Sequence, residues 1–204
     1  MSNVNMWEIE DSFYAQGYTV ICGVDEAGRG PLAGPVCAAA VILPDHIEIP
    51  GLTDSKKLSD KKRRELFPII KEQAIAYGIG LASEEEIDSV NILQATYLAM
   101  ERAIAQLEGK ADYVLIDGNR AKDFGLPQRT VVKGDSLSAN IAAASVLAKV
   151  TRDDLMLELA REYPQYGFEV HKGYGTKRHY EALTEHGMSP VHRRTFLKKF
   201  YGEK

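Results

Sequence analysis

The chain has 204 residues, 45% of them hydrophobic and 26% charged, with a net charge of −4. That size supports a single domain with a sizeable core and a small appendage, and no apolar stretch approaches the roughly 20 residues of a membrane span. Residues 1–10 are polar and acidic and lack the apolar centre of a secretory signal, so a cytoplasmic protein without a membrane partner is expected.

Residues 18–25 read as a first strand and Val36 to Leu43, closed by Pro44, as a second. Between them lies Glu26-Ala-Gly-Arg-Gly-Pro-Leu-Ala-Gly-Pro35, too rich in Gly and Pro for helix or sheet. Leu58 to Glu72 reads as a helix with Ser59 as its N-cap, ending near Tyr77-Gly78, with Ile75 to Leu81 as a third strand. Ser83-Glu-Glu-Glu86 has the form of a capping box, followed by an amphipathic helix from Asn91 to Leu107 that stops at Gly109. Strands follow at 113–117 and 129–132, then a long Ala-rich helix from Ser136 to Tyr163 and shorter helices within 176–201. The pattern predicts a mixed α/β sheet flanked by helices, with an antiparallel first hairpin, helical crossovers to the later strands and a small helical C-terminal extension. The expected division is an N-terminal segment 1–17, a catalytic core 18–165, and an extension 166–204 carrying a Tyr loop and basic helices.

Charge is unevenly spread. Residues 1–119 hold 10 Lys/Arg against 19 Asp/Glu, whereas residues 171–204 hold eight basic and three acidic side chains. A basic C-terminal segment beside an acidic pocket suits an enzyme acting on a polyanion; a merely solvated helical surface is the plainer alternative. The only cysteines, Cys22 and Cys37, sit in apolar runs without metal-ligand spacing and read as buried thiols.

Three acidic points stand at the ends of short apolar runs. Asp25 and Glu26 follow Val20 to Val24, Asp117 follows Tyr113 to Ile116, and Asp135 follows Val131-Val132 across Lys133-Gly134. Any one of them taken singly is most simply a strand-end turn residue. Together they would gather like charges outside the sheet, which repel unless protons or a cation neutralise them. A hard oxygen-liganded ion, Mg²⁺ or Mn²⁺, fits such a set. Adjacent strand residues point to opposite faces, so Asp25 and Glu26 share a site only if the strand ends or bulges there, or if Glu26 contributes its backbone carbonyl. Asp153 is a further candidate at the pocket edge, with a surface position on the helix as the favoured alternative.

The glycine loop is not a P-loop, because Arg29 and Gly30 stand where Lys and Ser/Thr are required and Pro31 to Pro35 cannot open a helix. It does offer backbone that approaches a ligand closely at Gly28 and Gly30, with Arg29 able to reach a phosphate. Lys133 reads as a carboxylate-orienting or phosphate-binding group. Lys56-Lys57 and Lys61 to Arg64 read as phosphate-tracking residues or as a solvated helix start. Tyr174, between Gly173 and Gly175 in a basic segment, is displayed as a ring that stacks on a sugar or base.

Six ordered motifs go further: Val24-Asp-Glu-Ala-Gly-Arg-Gly-Pro-Leu-Ala-Gly-Pro35, Asp54-Ser-Lys-Lys-Leu-Ser59, Ile116-Asp-Gly118, Lys133-Gly-Asp135, Ala142-Ala-Ala-Ser145 with Ala148-Lys-Val-Thr-Arg-Asp153, and His171-Lys-Gly-Tyr-Gly-Thr176. They resemble bacterial ribonuclease HII from about residue 19 to Phe196. One departure lies at Arg194-Thr195-Phe196, where Thr replaces the usual Ser and keeps a hydroxyl. The resemblance implies an RNase H-like fold and a metal-dependent endonuclease. Its implied substrates are the RNA strand of RNA–DNA hybrids and a ribonucleotide embedded in duplex DNA, cut on its 5′ side to leave a 3′-hydroxyl and a 5′-phosphate. It implies Asp25, Glu26, Asp117 and Asp135 as the catalytic carboxylates and metal ligands, and Gly28, Arg29, Gly30, Lys133 and Tyr174 as substrate contacts. Two divalent ions roughly 4 Å apart are the expected cofactor, no histidine base is required, and a monomer is expected. An RNase H-like DNA nuclease or resolvase, or a non-catalytic nucleic-acid-binding module, are the alternatives; the latter requires a missing acidic ligand.

Overall fold

The structure, a computed structural model, describes residues 5–202; residues 1–4 of the N-terminal segment and 203–204 of the extension lie outside the described residues. A five-stranded sheet in the order β3-β2-β1-β4-β5 forms its centre. The strands are β1 (Ile21–Ala27), β2 (Val36–Ile42), β3 (Ala76–Ala82), β4 (Tyr113–Asp117) and β5 (Gln128–Val131). β1, β2 and β3 form an antiparallel meander, and β4 and β5 run parallel to β1. This is the mixed α/β sheet flanked by helices that the apolar runs predict.

Small residues let helices cover both faces. Every residue of β2 is buried. Its Val36, Ala38 and Ala40 pack with Tyr97, Ala99, Met100 and Ala103 of α3 (Glu84–Ala105). Its Cys37, Ala39 and Val41 face Ala143, Ala144 and Leu147 of α4 (Ala139–Glu162), with Leu66 and Ile70 of α2 (Asp60–Gln73) alongside. The helix backbones come close: a Cβ on Gly23 would lie 2.2 Å from the Asn140 carbonyl carbon, and one on Gly80 2.0 Å from the Ala99 oxygen. Any side chain at either position forces a helix off the sheet.

Several boundaries move for local reasons. β1 starts at Ile21, because both carboxylate oxygens of Asp112 take the Thr19 and Val20 amides out of the ladder. It then runs past Asp25-Glu26 to Ala27, still paired with Ala39, Ala38 and Cys37. α2 stops at Gln73, short of 77–78, since Ala76 onward pairs with β2; Ser59 does cap it. The Ser83 capping box forms as read, and α3 kinks at Asn91 (φ 70°), whose side chain caps the following turn through Leu93 N and Gln94 N. α4 begins at Ala139 under a Ser138 cap, the preceding Gly134–Ser136 forming a 3-10 turn instead. The crossover to β5 contains no helix; residues 118–127 make it as an irregular loop. An unforeseen helix, α1 (Glu8–Tyr14), docks through Phe13 stacked on Tyr113 and through Glu10, which accepts from Ser138 Oγ and Asn140 Nδ2.

After α4 come α5 (Phe168–His171), α6 (Lys177–His186) and α7 (Arg194–Leu197). They enclose a cluster around Tyr166, Phe168 and Leu197 and three buried histidines, His171, His179 and His192. No helix of the described residues is long and apolar enough to cross a membrane.

Burial pushes all three imidazoles below the usual histidine range, His192 to about 4, while the unfolded chain titrates near 6.5. Below pH 6.5 these three residues therefore bind more protons in the unfolded state than in the folded one. Their contribution to stability should be full above about pH 6.5 and be lost progressively toward pH 4, against the opposite trend of the buried carboxyls raised above their usual range. Urea midpoints of the parent and His192→Gln taken from pH 7 to 4.5 isolate this share: the variant should lose less stability on acidification, and an unchanged slope would remove His192 from the account.

Candidate active site

Strand alternation builds the site. In β1 and β4, Cys22, Val24, Val114 and Ile116 pack toward α3, whereas Ile21 and Leu115 pack toward Ile141 of α4. Asp25 and Asp117 follow the second set and point to the α4 side. Asp135 arrives from the turn Gly134–Ser136, set up by Lys133 in the left-handed conformation (φ 58°). That turn delivers the Gly134 amide to Asp117 Oδ1 at 2.7 Å and the Asp135 amide at 3.4 Å. One ligand oxygen from each of Asp25, Asp117 and Asp135 falls within 4.8 Å of the others.

Glu26 does not join this group. The strand neither ends nor bulges at Asp25, so Glu26 stays on the opposite face. There it lines a cleft of about 380 Å³ with Arg29, Thr96, Tyr97, Asn119 and Arg120, a cleft that Asp117 also lines. Its Oε1 lies 3.6 Å from Arg29 Nη1, while its amide donates to Asp25 Oδ1 at 2.7 Å.

The electrostatics suit a site that holds positive charge. Burial, then Glu26 and Asp117, pushes the Asp25 carboxyl well above the usual range. Burial and Asp117 raise Asp135, and burial raises Glu26 against the pull of Arg29. Lys56 supplies a cation missed as a site residue in the sequence: its Nζ lies 3.3 Å from Asp135 Oδ2. Burial opposes its charge, but Asp25 and Asp135 hold its ammonium above the ordinary lysine range. Asp54 caps the turn that presents it, accepting from Lys56 N, and Lys57 Nζ donates to Ser136 Oγ. The Asp54-Ser-Lys-Lys motif carried that signal.

The donor set is all carboxylate oxygen and Asp25 is 3% exposed, so the residues fit a hard divalent ion. Asp153 is not among the three gathered carboxylates. It is not the surface residue expected, being 3% exposed and bonded to Lys149 Nζ at 2.8 Å on a helix buried along much of its length.

Two buried arginines, also unread from sequence, shape the glycine loop. Arg193 donates to the carbonyls of Gly28, Arg29 and Gly34, and Arg152 to those of Ala33, Pro35 and Lys172. Arg152 thereby links the glycine loop to the Tyr174 loop, as does the Leu32 amide bonded to the Gly173 carbonyl at 2.8 Å. The loops meet: a Cβ on Gly30 would sit 3.6 Å from Tyr174 Cε1. Tyr174 is exposed, as are Arg29 and Lys133.

A family model described as ribonuclease HII matches residues 22–199. This chain belongs to the ribonuclease HII family. It is 54% identical to the ribonuclease HII of Clostridioides difficile strain 630, covering 97% of this chain and 77% of that one. It is 58% identical to that of Endomicrobium trichonymphae, with 94% and 92% covered. The fold matches the ribonuclease H2 of Pyrococcus horikoshii with a TM-score of 0.76 at 27% identity, over 91% of this chain and all of that one. It also matches a Bst ribonuclease HIII solved with Mn²⁺ at TM-score 0.65 and 18% identity, over 83% and 63% of the chains. The chain is a hydrolase, an endoribonuclease of the ribonuclease H type.

Proposed function

We propose that the protein cleaves the RNA strand of RNA–DNA hybrids and cuts on the 5′ side of single ribonucleotides embedded in duplex DNA, leaving 3′-hydroxyl and 5′-phosphate ends. The convergence of Asp25, Asp117 and Asp135 oxygens within 4.8 Å carries this reading. These carboxylates would hold Mg²⁺ or Mn²⁺, with Glu26 contributing through its backbone carbonyl or after turning its side chain. Divalent ions held by these residues would supply charge neutralisation for phosphodiester hydrolysis. Lys56 balances the carboxylates at the pocket mouth. Gly30, exposed and without a Cβ, presents its backbone to the 2′-hydroxyl, the one sugar group that separates RNA from DNA, beside Gly28 and Arg29, whose carbonyls Arg193 holds. Arg29 and Lys133 reach neighbouring phosphates, and the Tyr174 ring packs on the adjoining sugar. The buried thiols Cys22 and Cys37, pushed up to about 12 by burial, suit a reducing cytoplasm.

The test is a substrate panel: duplex DNA with and without one internal ribonucleotide, and continuous hybrid, each with Mg²⁺, Mn²⁺ or a chelator. Cutting of the all-DNA duplex, or cutting in chelator, would overturn the reading. Tyr174→Ala should reduce cleavage at the single ribonucleotide several-fold more than cleavage of continuous hybrid. Equal losses would leave Tyr174 a general contact with no part in discrimination.

A further inference from the structure

Two of the three buried histidines, His192 and His179, form a directed hydrogen-bond chain that ends on the Tyr174 loop. The Ser189 amide donates to His192 Nδ1 at 3.0 Å, with Ser189 Oγ 2.8 Å from the same nitrogen. His192 Nδ1 is therefore an acceptor, and the neutral ring carries its proton on Nε2. That Nε2 lies 3.0 Å from His179 Nε2, which must accept. His179 then holds its own proton on Nδ1 and donates it to the Tyr174 carbonyl at 2.9 Å. His171 braces the loop's other arm, taking the Gly173 amide on Nδ1 at 3.2 Å while its Nε2 donates to the Tyr166 carbonyl at 2.9 Å. Its ring stacks on His179 with centroids 4.6 Å apart. Within the loop, Tyr174 N bonds to the His171 carbonyl and Thr176 N to the Tyr174 carbonyl.

We propose that His179, oriented by His192, is the positioning residue for Tyr174, tethering its carbonyl so that the ring stands against Gly30 in a preformed pose. The inference rests on the reading that Tyr174 contacts the sugar. An imidazole suits this place because it accepts at one end and donates at the other while remaining neutral, which a buried position demands. Neither His179 nor His192 reaches the face where Tyr174 is exposed, so they act through the loop. A loop ordered in advance saves ordering entropy at binding, which should be read in KM.

Two pairs of variants separate tethering from mere filling. His179→Asn keeps an amide donor near the Nδ1 position, and His179→Leu keeps bulk without it. His192→Gln keeps a donor near Nε2, and His192→Leu removes it. Hydrogen exchange of the Gly173 to Thr176 amides should quicken about tenfold or more in both Leu variants and stay within about twofold of the parent in the Asn and Gln variants. Preference for the embedded ribonucleotide over continuous hybrid should fall about fivefold in the Leu variants, through KM. Equal behaviour of Leu and amide variants, or unchanged exchange in the Leu variants, overturns the proposal. If His179→Leu does not fold, the His192 pair decides by the same criteria, since that ring does not touch Tyr174. If Tyr174→Ala leaves substrate preference intact while the Leu variants quicken exchange and the amide variants do not, the Tyr174 reading fails and the tether stands.

Discussion

Asp117→Asn should lower cleavage by about three orders of magnitude, some 4 kcal/mol of lost transition-state stabilisation, and leave the chain folded. Asp117 holds the site together twice over. Its Oδ1 takes the Gly134 and Asp135 amides, fixing the turn that carries Asp135, and its charge raises the carboxyls of Asp25 and Asp135. The amide variant keeps the shape and an acceptor oxygen, so the turn should persist. It removes one charge from the ion's cage, so a divalent ion should bind weakly and out of place. The same change relieves repulsion in the ion-free protein, whose urea midpoint should hold or rise. Single-turnover rates at saturating Mg²⁺ decide the matter; a rate near the parent's would show that Asp117 is not part of the catalytic cage.

The sequence made the convergence of Asp25, Asp117 and Asp135 legible because apolar runs of strand length end at or beside them, and neighbouring parallel strands bring their ends together. Glu26 was harder. Whether β1 ended at Asp25 depended on pairing with Ala38 and Ala39, a tertiary fact, and the ladder's continuation kept Glu26 on the α3 face. Lys56 was visible as a basic residue, yet its approach to Asp135 requires Ser145 of α4 to accept the Ser55 amide and so dock the turn. Asp153 was misplaced because a charged residue on a long helix reads as solvent-facing, whereas α4 is buried along much of its length. Arg152 and Arg193 were hidden in a similar way. Charge counting reads an arginine as surface, and nothing local announces that six loop carbonyls surround these two. The positive balance of residues 171–204 consequently overstates what is available to a polyanion: Arg193 is 0% exposed, whereas Arg178 and Arg194 face solvent.

Arg193→Leu should destabilise the protein by about 3–5 kcal/mol and disable cleavage with it. Arg193 is buried among the Gly28, Arg29 and Gly34 carbonyls and donates to them at 2.6 to 3.0 Å. Burial, and then Arg152, pushes its guanidinium down to about 9, so it is still charged at neutral pH. Each charged hydrogen bond contributes about 1.5–3 kcal/mol, less than additively, and the lost desolvation cost of the guanidinium offsets part of the total. Leucine fills some of the space but leaves three loop carbonyls facing apolar surroundings, and Gly28, held at φ +96°, loses the contact that keeps it there. Arg193→Lys should recover less than half, because one ammonium cannot span a planar fork's three acceptors. Arg194→Leu, at the exposed neighbouring position, should shift stability by less than about 0.5 kcal/mol. Urea denaturation of the three variants measures the ordering. Were Arg193→Leu within about 1 kcal/mol of the parent, the glycine loop would hold its shape through its backbone contacts to Gly173 and Val191 alone, and the buried guanidinium would not be what sets the backbone proposed to meet the 2′-hydroxyl.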